Sequence, residues 1–234
     1  MEIIVPTTTK YQDAWHPFQM LFAKFWPDCQ FPVNFITDGY FPHSITTEGQ
    51  EFQFISLGAD QGWCKNFREG LKQITSEFVL LFQEDFWLNA PVDRAYVNRA
   101  LKMMLDDDSI GCFRLYPCPG PDIKIGEDYG QIDSNARYRV SCQSAIWRKS
   151  HVEDILARFN RPNEFEIDGT IYVNNNCNNF KYYSVYRADP NTWPVQYYCS
   201  AITRGEWNPD AVTFAKSHGI VVDTTRRPFQ IVPG

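Results

Sequence analysis

The stretch Phe78 to Asn89 reads FVLLFQEDFWLN, with three polar residues, Gln83, Glu84 and Asp85, at its centre. Five apolar residues lead in, and Phe86, Trp87 and Leu88 follow. This is the pattern of a buried strand that delivers two carboxylates at its carboxyl end. Side chains alternate along a strand, so the reading places Gln83 and Asp85 on one face and Glu84 on the other. A hard cation takes one or two carboxylates and completes its shell with phosphate oxygens and water. Mn²⁺ or Mg²⁺ is therefore the expected cofactor, with Asp85 as its ligand. The plainer alternative is a strand that ends in solvated acids. The apolar residues that follow argue against open solvent.

A second acidic stretch, Arg161-Pro-Asn-Glu-Phe-Glu-Ile-Asp168, alternates Glu164, Glu166 and Asp168 with apolar residues at a helix start. Acids there stabilise a helix mildly, and one of them is also placed to act as a general base. Thr7, Thr8 and Thr9 follow the first strand. Their hydroxyls and N–H groups are expected either to contact a nucleobase or ribose, or to cap a helix. Asp38 closes the second strand and is expected to line the same pocket. Lys65, beside Trp63, opens a helix whose N-terminus suits a phosphate; Arg68 follows on that helix. Ser141 and Gln143 are expected to meet sugar hydroxyls, and Trp147 to stack on a sugar face. Arg226 and Arg227 read either as a solvated tail or as a lid over a diphosphate, and His218 reads as a surface histidine.

These residues need a scaffold that brings strand ends together. Glu2 to Val5 reads as a first strand, and Ala14, Phe18, Leu21, Phe22 and Phe25 mark a helix that Pro27 ends. Strands follow at Pro32 to Ile36 and Phe52 to Leu57, a helix at Gln61 to Ser76, and a helix at Val92 to Leu105. Beyond these, Ile110 to Tyr116 and Tyr138 to Trp147 read as strands around an irregular Pro- and Gly-rich loop. A capping box at Ser150 and Glu153 opens a helix to about Phe159, and another helix runs from Glu164 to Asn175. Strands at Tyr182 to Arg187, Val195 to Thr203 and Ile220 to Val222 complete the pattern, with a short helix from Pro209 to Ser217. Strands alternating with helices imply an α/β fold with a mixed, mostly parallel sheet flanked by helices. In such sheets ligands sit outside the strands' carboxyl ends.

Composition narrows the partners. The net charge of −6 and the absence of a basic run exclude bulk nucleic-acid binding. Seven cysteines without a CxxC motif suggest neither a disulfide framework nor a zinc site. Reduced thiols, together with the lack of signal-like or membrane-length apolar runs, give a cytoplasmic expectation with no transmembrane segment. No GxSxG, Walker A or GxGxxG motif appears.

The Thr-rich loop after the first strand, the following βα units, the strand ending in Gln83-Glu84-Asp85 and the later Ser/Cys-rich strand with its helix resemble the GT-A type of nucleotide-sugar glycosyltransferase. The chain looks most like the small glycosyltransferases of large algal viruses and related bacterial and phage proteins. The resemblance implies a single domain over residues 1–234, Rossmann-type, with a nucleotide-binding part at about 1–110 and an acceptor-side part at about 111–234. It implies a metal-dependent, inverting hexosyl- or deoxyhexosyltransferase that uses a nucleotide sugar and a glycan or glycoconjugate acceptor. In this pattern Asp85 holds the metal, Gln83 replaces an Asp, and Glu84 is available to substitute for it. The Pro162-Asn163-Glu164-Phe165-Glu166 pattern implies Glu164 as base, then Glu166, then Asp168. The replaced first acid leaves a second reading open: a non-catalytic sugar- or nucleotide-binding module on a degenerate scaffold.

Overall fold

The computed structural model describes residues 1–177 and 179–231. Asn178, within the Asn-rich stretch, and residues 232–234 of the tail lie outside the described residues.

Strand β1 (Glu2–Pro6) is followed by a single 3₁₀ turn and α1 (Gln12–Phe25). Next come β2 (Val33–Thr37), β3 (Ser44–Thr47), β4 (Gln50–Ser56), α2 (Trp63–Leu71), β5 (Phe78–Leu81) and α3 (Arg94–Asp106). The second half contains β6 (Ile110–Arg114), the short β7 (Ile123–Lys124) and β8 (Tyr129–Gln131), then β9 (Ala145–Arg148), α4 (Lys149–Leu156) and α5 (Pro162–Asn176). It ends with β10 (Lys181–Val185), the β11–β12 ribbon (Ile202–Thr203, Glu206–Trp207) and α6 (Pro209–Ser217).

Ten strands form one sheet in the order β3-β4-β2-β1-β5-β9-β6-β10-β8-β7. Pairing is parallel from β4 through β2 and β1 to β5, and again between β6 and β10. Strand β9 runs antiparallel between β5 and β6. The fold is thus the expected mixed α/β sheet flanked by helices.

Strand alternation builds two cores. Ile3 and Val5 of β1, with Phe78 and Leu80 of β5, face the cluster that holds α1 and α3. Ile4, Val79 and Leu81 face the opposite cluster, which holds α2, α4 and α5. At Gly70 the backbone of α2 lies so close to β2 that an added Cβ would stand 2.4 Å from Ile36 Cγ2.

Several sequence expectations are corrected. Of Tyr138 to Trp147 only the last residues form strand, because Tyr138 sits at φ 56 and the chain turns there. Val195 to Thr203 is mostly irregular, and Ile220 to Val222 is not a strand. The capping box at Ser150 is absent: the helix cap is Arg148, two residues earlier, and α4 starts at Lys149. Among the described residues no helix is long and apolar enough to cross a membrane, and all seven cysteines are free thiols.

Candidate active site

From β1 the chain moves outward through β2 to β4, then returns to the other side of β1 as β5. The carboxyl ends of β1 and β5 therefore flank the point where the winding reverses, which is where a crevice forms in such sheets. A cleft of about 480 Å³ opens there. Its floor comes from Pro6, Thr7, Thr8 and Tyr11 after β1 and from Gln83 to Phe86 after β5. Trp63 of α2, Cys142 and Gln143 before β9, Pro162 and Glu166 of α5, and Cys199, Ser200, Ile202 and Thr203 supply the walls.

The alternation reading of Gln83-Glu84-Asp85 does not hold. Strand β5 ends at Leu81, and the Phe86 N–H donates to Gln83 O at 3.1 Å, closing a turn. The turn brings all three side chains to the cleft. Glu84 is buried, and desolvation, then the adjacent Asp85 charge, holds its carboxyl well above the usual carboxylate range. Asp85 is half-buried, and burial pushes it up to about 6. Opposing this, the Thr7 hydroxyl, which accepts from Trp15 Nε1 at 2.9 Å, favours ionised Glu84. The Ser200 hydroxyl and the Ile202 N–H do the same for Asp85. The wall that carries them is pinned by the Ala201 N–H, which donates to Asp85 O at 2.8 Å.

Among the described residues no group of three or more His, Cys, Asp or Glu side chains is assembled for a metal. What the floor offers is two crowded carboxylates, Glu84 and Asp85, and a nearby hydroxyl, all oxygen donors. That set fits a hard divalent cation that brings its remaining oxygens with water and a diphosphate. It does not fit a preformed, all-protein metal cage.

Glu164 and Glu166 separate. Glu164, at the third position of α5, turns back so that its Oε2 accepts from the N–H groups of Asn160 at 2.9 Å and Arg161 at 3.3 Å. It caps the helix and is not among the residues lining the cleft. Glu166 does line it. Its Oε1 accepts from Ser141 Oγ at 3.1 Å and from the Cys142 N–H at 2.8 Å, which fixes the carboxylate on the wall of the same cleft as the acid pair. Asp168 is exposed and outside the cleft.

The other expected residues divide the same way. Thr7 and Thr8 reach the cleft, and Thr8 also caps the 3₁₀ turn through Lys10 N. Thr9 and Asp38 bind each other instead: the Thr9 N–H and hydroxyl donate to the Asp38 carboxylate at 2.6 and 2.9 Å. They do not line the cleft. Lys65 is exposed and Arg68 lies elsewhere on α2; neither lines it. Trp147 is fully buried against Phe165 and Tyr182, so it is core and not a sugar platform. Gln143 is in the cleft, with its Oε1 accepting from Tyr197 Oη at 2.6 Å. His218 packs on Phe214 and Phe25, away from the acids.

Sequence reasoning missed Tyr11 and the Cys199-to-Thr203 wall. The sequence reading takes that wall as strand, as part of Val195 to Thr203. Among the described residues no Lys, Arg or His lines the cleft.

No protein-family model matches the sequence, and no curated protein matches it. Solved structures resemble the fold. A cytidylyltransferase from Leptospira borgpetersenii serovar Hardjo-bovis aligns with TM-score 0.51 at 10% identity, over 100% of this chain and 98% of that one. The galactosyltransferase LgtC, in complex with donor and acceptor sugar analogs, aligns with TM-score 0.49 at 12% identity, over 100% and 98%. S. aureus TarS 1-349, in complex with UDP-GlcNAc, aligns with TM-score 0.46 at 17% identity, over 81% of this chain and 59% of that one. At these identities the likeness is one of fold alone: the chain shares the mixed α/β architecture of the cytidylyltransferase.

Proposed function

We propose that the chain is a divalent-metal-dependent, inverting glycosyltransferase. It would move a hexosyl or deoxyhexosyl group from a nucleotide sugar to a hydroxyl of a glycan or glycoconjugate. The observation that carries this reading is the composition of the cleft at the winding reversal: Glu84 and Asp85 on the floor, Glu166 on a wall, and, among the described residues, no basic side chain lining it. A diphosphate entering such a cleft meets carboxylates and, among the described residues, no lining cation, so a bound metal ion would serve to neutralise it. The fold match to a cytidylyltransferase agrees with a nucleotide-bearing substrate.

In this reading Asp85 and Glu84 hold the metal, which when bound supplies positive charge against the leaving diphosphate. Thr7, Thr8 and Tyr11 border the nucleotide end, and Gln83 offers an amide whose Nε2 is buried without a hydrogen-bond partner among the described residues. Thr9, Asp38 and Lys65 act at most from outside the cleft. Glu166, held through Oε1, takes the acceptor hydroxyl's proton at Oε2. The acceptor oxygen bonds to the anomeric carbon as the carbon–phosphate oxygen bond breaks, and the electron pair leaves with the diphosphate. Charge develops at the anomeric carbon as in glycoside hydrolysis. Phe86 and Trp63 border the reaction and limit water. Glu164 remains a cap, so the base passes to Glu166. Residues 1–110 carry the nucleotide end and 111–234 the acceptor end of one domain, and the cytoplasm suits the free thiols.

Transfer and donor hydrolysis, assayed with Mn²⁺ in wild type, Asp85→Asn and Glu166→Gln, test the reading. It requires both variants to lose transfer; full activity in both overturns it. The replacement of an acid by Gln83 favours a second reading, a module that binds without turnover. Nucleotide-sugar binding with no transfer or hydrolysis in wild type would select that reading.

A further inference from the structure

The C-terminal segment returns to the start of the chain. Arg227 Nε donates to Asp13 Oδ2 at 2.7 Å and its Nη2 to Asp13 Oδ1 at 2.8 Å, across 214 positions. The pair is buried, with the two side chains 10% and 1% exposed. Nη2 also donates to Lys10 O, and the guanidinium carbon lies 4.4 Å from the Tyr11 ring centroid. Just beyond Arg227 the segment is held against β12: the Trp207 N–H donates to Pro228 O at 2.8 Å and the Gln230 N–H to Trp207 O at 2.9 Å. Arg227 is therefore no free lid.

Arg227 does not line the cleft, but Tyr11 does. A planar guanidinium can bind a carboxylate in two places and lie against an aromatic ring at once, which an ammonium cannot do.

We propose that Arg227 is a positioning residue of the donor site: from behind the floor it fixes Tyr11, so that the C-terminal segment sets affinity for the nucleotide end of the donor. This rests on the nucleotide-sugar reading above.

The test uses full-length protein, with UDP, GDP, dTDP and CDP as probes in the presence of Mn²⁺, alongside hydrogen exchange of residues 7–13 without ligand. Arg227→Lys keeps a cation beside Asp13, so its melting temperature should stay near wild type. Its affinity for the preferred diphosphate should nevertheless fall about tenfold, because the stacked plane over Tyr11 is gone. Arg227→Gln should fall further and lose exchange protection at residues 7–13. Asp13→Asn combined with Arg227→Gln removes both buried charges and so guards against a variant that merely fails to fold. Unchanged exchange at residues 7–13, or an affinity that only follows melting temperature across the series, would overturn the proposal. If none of the four diphosphates binds wild type, the donor reading falls and the donor role of Arg227 falls with it. The exchange arm then decides separately whether Arg227 orders that segment.

Discussion

Ser141 and Glu166 meet across the cleft wall: the serine hydroxyl donates to Glu166 Oε1 at 3.1 Å, and the Cys142 N–H joins it at 2.8 Å. The loop before β9 thus aims a carboxylate that belongs to α5. The two glutamates of Glu164-Phe165-Glu166 then have different work.

Glu166→Gln should reduce turnover by a factor of about 10²–10⁴, the usual contribution of a general base, with nucleotide affinity and melting temperature near wild type. Ser141→Ala should cost roughly tenfold by loosening the anchor. Glu164→Ala should instead remove about 1 kcal/mol of stability while leaving turnover per folded molecule unchanged. Steady-state kinetics paired with urea unfolding separates these outcomes. Normal turnover in Glu166→Gln would remove it as the base.

The adjacent carboxylates Glu84 and Asp85 cost stability in the absence of a cation, because burial and mutual repulsion both disfavour their charged forms. Asp85→Asn should therefore melt higher than metal-free wild type, by about 1 kcal/mol in stability, while losing the metal-dependent part of nucleotide binding. A variant that is less stable and still responds to Mn²⁺ would contradict the assignment.

His151 gives a pH signature away from the cleft. It is buried against Phe180, with ring centroids 4.1 Å apart, and its Nε2 lies 2.5 Å from Tyr182 Oη. Burial lowers it from 6.5 to about 4. Between those values the unfolded chain binds more protons than the folded one, so stability falls as pH drops from about 6.5 toward 4. The loss from this group approaches about 3 kcal/mol. His151→Phe should flatten that slope in denaturant titrations at several pH values, whatever it does to stability at pH 7. An unchanged slope would place the acid sensitivity elsewhere.

Much of the scaffold was legible because its central strands are buried on both faces and helices such as α1 and α2 show apolar stripes. The run FVLLF in particular marked β5 and the acids beyond it. What escaped depends on where regular structure stops. Alternation divides Gln83, Glu84 and Asp85 between two faces only while the chain is strand, and a turn after Leu81 gathers them. Glu164 and Glu166 stand about 200° apart on a helix, so only one can face the cleft, and the sequence does not say how α5 is rotated. Trp147 has the same chemistry in a core as on a sugar-binding face. The approach of Arg227 to Asp13 spans nearly the whole chain and leaves no local pattern.

The central claim is a metal-assisted nucleotide-sugar site at the β1 and β5 ends. It is tested most directly by melting wild-type protein with UDP-, GDP-, dTDP- and CMP-sugars, each with and without Mn²⁺. Only a ligand that binds the folded state raises the transition, by about 5 °C or more near 100-fold over its Kd. The account predicts such a rise with one nucleotide class, larger when Mn²⁺ is present. No rise with any of the four in Mn²⁺ would contradict it.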